Sequence, residues 1–252
     1  MSRVRIFDPA TDKPFQVSRT RVQKFLDCPR CFYIQNRLGI KDIDSYPFRL
    51  NSAVDTLLKN TFDLARAKQV PHEYFKKNGF NLVPFQHEKM DEWRENFKGI
   101  QYHHAETNLL LQGAVDDIVI DLKTKELSPI EFKASQTSDE KSQAVKYLGS
   151  PHHKNWKNQL EVYGYLLEKN GFTVSKMSYI VFCNGQIKAE EWKETLPFDV
   201  QVVPYELDYA WVEPTLKKMK ENLLLDKAPS LESSDECDVC RFFSEIIEKK
   251  AI

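Results

Sequence analysis

The sequence predicts a mixed α/β domain, and three observations carry that reading. Apolar residues recur at helical spacing through residues 18–68. The period then shortens to β-type runs between residues 107 and 133. Helical spacing returns after that, followed by two strand-like runs and a late helix. With 252 residues, 41% hydrophobic and 29% charged, the chain can bury a sizeable core and is globular rather than disordered.

Each element has its own signal. "SRTRVQKFLDC" places Ser18 as an N-cap ahead of Val22, Phe25 and Leu26 at helical spacing. "LNSAVDTLLKNTFDLARAK" predicts a second helix, with Asn51 as a cap and Val54, Leu57, Leu58, Phe62 and Ala65 as its apolar stripe. Residues 69–102 are mixed, with a polar helix around "HEKMDEWRENF". Then "TNLLLQ", "VDDIVID" and "SPIEFK" form three short strand-like runs with turn-sized gaps, which predicts a meander. "NWKNQLEVYGYLLEK" is helical. "KMSYIVFC" is a continuous apolar run ended by Asn184-Gly185, a turn signal, and "FDVQVVPY" is a further strand. "DYAWVEPTLKKMKENLLLD" predicts a late helix broken near Pro214. "KAPSLESSDE" is a polar loop leading to "CDVCRFF". There is no internal repeat and no mid-chain linker, so one domain is expected over 1–252, with a core of about 48–225 and cysteine-bearing ends at 18–40 and 226–252.

Charge and targeting signals narrow the function classes. Lys plus Arg total 36 against 37 Asp plus Glu, a formal net charge of −1, so no strong general affinity for nucleic acid follows. Basic residues do cluster in residues 1–31 (Arg3, Arg5, Lys13, Arg19, Arg21, Lys24 and Arg30), so a polyanion would bind a patch. The start, "MSRVRIFDPATDK", lacks an apolar signal core, and no run approaches a membrane span. A soluble, cytoplasmic protein with no membrane partner is expected.

The ionisable groups on the β-type runs pose the functional question. In "GAVDDIVIDLKTKELSPIEFKAS", alternation puts Glu131 and Lys133 on one strand face and Ile130 and Phe132 on the other. Asp116 and Asp117 point to opposite faces, and antiparallel pairing of 115–121 with 127–133 would bring Asp116 near Glu131. Two carboxylates with nearby backbone carbonyls suit Mg²⁺ or Mn²⁺, and a lysine beside the ion could orient or help deprotonate an attacking water. For the triplet alone, a salt-bridged, solvated strand face is the favoured reading. Two further features add weight. Gln159 and Tyr163 lie at i, i+4 and project from one helix face, and Asp55 flanks the apolar stripe of the second helix. Taken singly, Tyr163 reads as a core aromatic and Asp55 as an exposed helix residue.

In this order, the residues resemble the PD-(D/E)XK nuclease superfamily, and most closely its RecB-like branch, which includes CRISPR-associated and AddB-type nuclease domains. The match runs from about Ser18 to Cys240. "GAVD" (Gly113 to Asp116), "EFK" (Glu131 to Lys133) and "QLEVY" (Gln159 to Tyr163) correspond to Gly-x-x-Asp, Asp/Glu-x-Lys and Gln-x-x-x-Tyr. The resemblance implies a restriction-endonuclease-like fold, a central mixed sheet flanked by helices. It implies Mg²⁺ or Mn²⁺ held by Asp116, Glu131 and the carbonyl of Phe132, with Lys133 as the catalytic lysine. Gln159 and Tyr163 would position Lys133 and the substrate strand. The first motif, usually Gly-x-x-x-His, departs: Asn51 stands for the glycine, and Asp55 for the histidine that often ligates metal. Asp is a competent ligand for a hard metal, so Asp55 completes the expected metal set.

Five cysteines fall into Cys28-x-x-Cys31, Cys237-x-x-Cys240 and the lone Cys183. Two Cys-x-x-Cys pairs supply a tetrahedral four-sulfur set if the fold unites them. Reduced, unliganded pairs or disulfides are the plainer alternatives, and disulfides are disfavoured in a cytosolic protein. RecB-like domains often hold a 4Fe-4S cluster on one cysteine before the core and three after it. Two and two here leaves zinc as the alternative to that cluster. Cys183 reads as a buried core thiol. His103-His104 and His152-His153 read as polar surface or loop residues, the latter pair in a basic loop able to contact phosphate.

The resemblance implies a divalent-metal-dependent deoxyribonuclease acting on single-stranded or end-bearing DNA. No helicase motif is present, so a helicase, recombination or defence partner would be a separate chain. A catalytically silent, metal-stapled nucleic-acid-binding domain is the alternative, and a structural metalloprotein with a solvated acidic sheet edge a third.

Overall fold

Ser18 is where the first helix begins. Its side-chain oxygen accepts from the Arg21 N–H, closing the first turn of α1 (Arg19–Asp27). Cys28 then ends α1 and caps α2 (Pro29–Arg37), whose Pro29 sits at the first turn, where no backbone donor is missed. The computed structural model describes residues 5–41, 48–136, 154–186, 193–231 and 237–249. The chain divides into two compact units: Met1–Ser45, Gln101–Gln112 and Ala210–Ile252; and Tyr46–Ile100 with Gly113–Tyr209.

In the first unit, strand β1 (Phe15–Ser18) pairs in parallel with β4 (Leu109–Gly113), which also neighbours β3 (Ile100–His104) in a three-stranded sheet. The expected meander is therefore corrected. "TNLLLQ" joins β1 and β3, because alternation along a run does not say which strand will be its partner. Helices α1 and α2 pack on each other and on α7 (Val212–Leu223). Pro214 does not break α7. It is the third helical residue, where the backbone nitrogen has no partner in the helix to lose. The last helix, α8 (Asp238–Glu248), follows Cys237 directly.

The second unit is built on a five-stranded mixed sheet. Its order is β2 (Leu82–Pro84), β5 (Asp117–Asp121), β6 (Leu127–Ser135), β7 (Met177–Gly185) and β8 (Phe198–Glu206). Only the β6–β7 pair is parallel, and the crossover between them carries α6 (Lys154–Lys169). On one face Leu58 and Phe62 of α3 (Arg49–Lys68) pack against Val119, Ile130, Phe132 and Val181, with Phe75 of α4 (Glu73–Lys77) beside them. On the other face Leu160 of α6 packs against Ile180, Phe182 and Val203. The polar helix expected around "HEKMDEWRENF" is one short turn, α5 (Met90–Arg94).

Two local expectations are corrected here. Asn51 does not cap α3, which begins at Arg49; its side-chain amide donates instead to the Ala134 carbonyl at 3.0 Å. Asn184-Gly185 is not the turn. Both stay in the ladder, opposite Asp199 and Phe198, and Gly185 lacks the positive φ a two-residue turn of that type requires.

Candidate active site

Strand β6 presents its ionisable residues to one place. Ile130 and Phe132 are buried toward α3, so Glu131 and Lys133 project to the α6 side. Glu131 is only 2% exposed, which rules out a solvated strand face. Its Oε1 accepts from Lys133 Nζ. The same ammonium lies 5.3 Å from the centre of the Trp156 ring and 3.4 Å from Gln159 Oε1. Asp116 directly precedes β5, next to the Asp117–Ile130 pair, and so stands beside Glu131. Its Oδ2 accepts from the Phe132 N–H at 2.8 Å, which fixes the carboxylate against the strand.

Helix α6 supplies the backing. Gln159 and Tyr163, one turn apart and both buried, form a hydrogen-bonded chain behind Lys133. Gln159 Nε2 donates to Tyr163 Oη at 2.7 Å, and Tyr163 Oη donates to the Ala114 carbonyl at 2.6 Å. Gly113 leaves room for that tyrosine: a Cβ there would fall 2.8 Å from Tyr163 Cε1.

Helix α3 completes the cleft. Asp55 and Lys59 are one turn apart, and Lys59 Nζ lies 2.9 Å from Asp55 Oδ2 and 3.4 Å from Asp116 Oδ1. Burial first, and the Asp116 charge second, push the Asp55 carboxyl above its usual pKa. Burial would lower the Lys59 pKa, but Asp116 and Asp55 together outweigh it and hold the ammonium above its ordinary value. Asp55, Asp116, Glu131, Phe132, Lys133 and Trp156 all line one cleft of about 560 Å³. Its donor set is carboxylate oxygen with a nearby backbone carbonyl, the chemistry hard divalent cations take.

Lys59 was not singled out from sequence, although its i+4 spacing from Asp55 was a usable signal. Arg66, two turns further along α3, pairs with Asp117, which is 0% exposed. Arg66 Nε also donates to the Phe85 carbonyl at 2.8 Å, so α3 is anchored to the sheet next to the cleft.

The four paired cysteines meet in the first unit. Cys31 Sγ lies 3.6 Å from Cys240 Sγ and 3.7 Å from Cys237 Sγ, and Cys28 Sγ lies 3.7 Å from Cys240 Sγ. These distances exclude disulfides, whose sulfurs bond at about 2.05 Å. All four sulfurs fall within 4.8 Å of one another, an arrangement able to hold a metal. Cys183 is apart from them, buried under α3, its thiol pushed up to about 11 by burial. His103 is exposed as expected. His104 is not: strand alternation turns it inward, where its Nδ1 lies 2.9 Å from Thr107 Oγ1. His152 and His153 lie outside the described residues.

The family model of the PD-(D/E)XK nuclease superfamily matches residues 16–244. The chain belongs to that superfamily. Its members are metal-dependent nucleases, so the family implies a nucleic-acid substrate and a divalent ion. No curated protein matches the chain. Among solved structures it is similar to LHK-Exo in complex with dAMP, at 12% identity and a TM-score of 0.36, over 93% of this chain and 92% of that one. A likeness so distant bears on nothing further. Among the described residues no helix is long and apolar enough to cross a membrane.

Proposed function

We propose that this PD-(D/E)XK nuclease is a Mg²⁺- or Mn²⁺-dependent deoxyribonuclease of the RecB-like branch, hydrolysing phosphodiester bonds in single-stranded or end-bearing DNA. The observation that carries the reading is the convergence of Asp55, Asp116, Glu131 and Lys133 in one cleft, with Gln159 and Tyr163 chained behind the lysine. Asp116, Glu131 and the Phe132 carbonyl would hold the ion, with Asp55 as a further ligand. When bound, the ion neutralises charge on the phosphate and lowers the pKa of water. The Lys133 ammonium donates a hydrogen bond that orients the attacking water, whose proton passes to solvent while the departing oxygen takes one up from solvent. The water oxygen bonds to phosphorus as one bridging P–O bond breaks, leaving a phosphate and a hydroxyl end. Gln159 fixes the Lys133 ammonium, and Tyr163 fixes Gln159. The branch and the DNA preference rest on the order of "GAVD", "EFK" and "QLEVY".

The silent nucleic-acid-binding reading draws on one observation: Lys59 already neutralises Asp55 and Asp116. Digestion of end-labelled single- and double-stranded DNA with Mg²⁺, Mn²⁺ or EDTA separates the two.

For the cysteine centre, the sulfur spacing supports zinc over a 4Fe-4S cluster. Zinc bonds thiolate at about 2.3 Å, so a tetrahedral set has sulfurs about 3.8 Å apart. The closest pairs here are at 3.6–3.7 Å. A cubane of four irons and four sulfides would hold the cysteines well beyond that.

A further inference from the structure

The acidic cleft has a cation beside its carboxylates. Lys59 reaches from α3 to both Asp55 and Asp116, two of the carboxylates assigned to the divalent ion, and makes its contacts at 2.9 and 3.4 Å. Its side chain is 22% exposed, so the ammonium sits against two carboxylates that line the cleft and is still partly open to solvent. We propose that Lys59 is a built-in counter-cation of the metal site. It screens Asp55 and Asp116 from each other when no ion is bound, and a divalent ion must displace it to take both carboxylates. This rests on the reading of the cleft as a divalent-metal site.

The physical argument has two parts. Two half-buried carboxylates that share one cleft repel each other unless a cation lies between them, and Lys59 contacts both. An ammonium and a divalent ion cannot share the same two oxygens, because like charges at contact distance repel strongly where water is partly excluded. A lysine suits an exchangeable role. Its charge is a point on a flexible four-carbon stem, without the rigid fork by which an arginine would lock both acids. Lys133 is placed differently: it binds Glu131 and Gln159, outside the Asp55–Asp116 slot. The cleft thus carries one lysine for chemistry and one that sets how readily the ion enters.

The test is a calorimetric titration of Mn²⁺ into the full purified chain without DNA, comparing wild type, Lys59→Met and Lys59→Arg. Asp116→Asn, which removes a ligand, assigns the heat to the cleft. Lys59→Met keeps the length and apolar stem while deleting the charge. It is expected to bind Mn²⁺ about tenfold more tightly, the step that about 1.4 kcal/mol makes in an equilibrium constant. It should also melt at a lower temperature than wild type without metal and regain more on adding Mn²⁺. Lys59→Arg, whose fork would lock both acids, should bind Mn²⁺ no more tightly than the wild type. A merely structural lysine would lower the melting temperature without tightening the ion. Equal affinities for wild type and Lys59→Met would overturn the proposal and leave the metal-site reading standing. If none of the three bound Mn²⁺, both would fall. Binding by Lys59→Met alone would support the proposal in its strongest form.

Discussion

Gly113→Ala is expected to damage the cleft from behind, by pressing on Tyr163. The new Cβ would lie 2.8 Å from Tyr163 Cε1, 3.0 Å from Cδ1 and 3.1 Å from Leu166 Cδ1. Carbon atoms in contact sit about 3.5–4.0 Å apart, so the ring must retreat by several tenths of an ångström. It has little room, because Tyr163 is 2% exposed, Leu166 is fully buried, and the hydroxyl is tied to Ala114 at 2.6 Å. The backbone at Gly113 is not left-handed, so the cost is steric alone. Overpacking of this kind costs about 1–3 kcal/mol. Strain on the Tyr163–Ala114 hydrogen bond adds a fraction of the ~1 kcal/mol such bonds contribute. Urea unfolding of wild type, Gly113→Ala, Tyr163→Ala and the double variant checks this as a cycle. With the ring removed, the alanine at 113 should cost almost nothing, giving a coupling of about 1–3 kcal/mol. If Gly113→Ala is as stable as wild type, or costs the same in both backgrounds, the steric reasoning is refuted.

The other expectations concern the acids, the first motif and the cysteines. Glu131→Gln and Lys133→Ala should each lower cleavage by at least ~10²–10⁴-fold while DNA binding and the folded circular-dichroism spectrum persist; near wild-type turnover would remove these residues from the chemistry. Asp55→Ala should raise the Mn²⁺ concentration needed for half-maximal cleavage, and Asp55→His should be tolerated because imidazole is a good Mn²⁺ ligand; an unchanged titration for the alanine variant would make Asp55 a helix-surface residue. The protein purified without oxygen should be colourless and carry one zinc per chain, and stripping it with a thiol-competent chelator should expose Cys28, Cys31, Cys237 and Cys240 to alkylation. A brown protein absorbing near 400 nm, with about four irons, would restore the cluster.

The sequence disclosed the site more fully than the surrounding topology. Strand alternation alone put Glu131 with Lys133 and opposite Phe132, and i, i+4 spacing alone put Gln159 with Tyr163; both are local rules that survive folding. Ser18 was legible for the same reason, since a cap bonds within its own turn. What failed was non-local. The run at 109–113 looked like the first strand of a meander, but its partner β1 lies almost a hundred residues earlier and is only four residues long. Asn51 looked like a cap because caps favour that residue type, yet its amide is used by a carbonyl 83 positions away. Helices α2 and α8 are not among the expected elements; Cys28 and Cys237 stand at their N-caps, and Cys31 and Cys240 lie in their first turns. Lys59 escaped because a lysine on a polar helix face has an obvious solvent role until Asp116 is seen beside it.

The central claim is that this cleft cuts DNA with a divalent ion. End-labelled single- and double-stranded DNA with free ends, incubated with the purified chain, tests it most directly. The account predicts cleavage with Mg²⁺ or Mn²⁺, none with EDTA, and none by Glu131→Gln under either metal. DNA that is bound by the wild-type protein but left intact in both metals would contradict it, and would make the chain a silent binding domain.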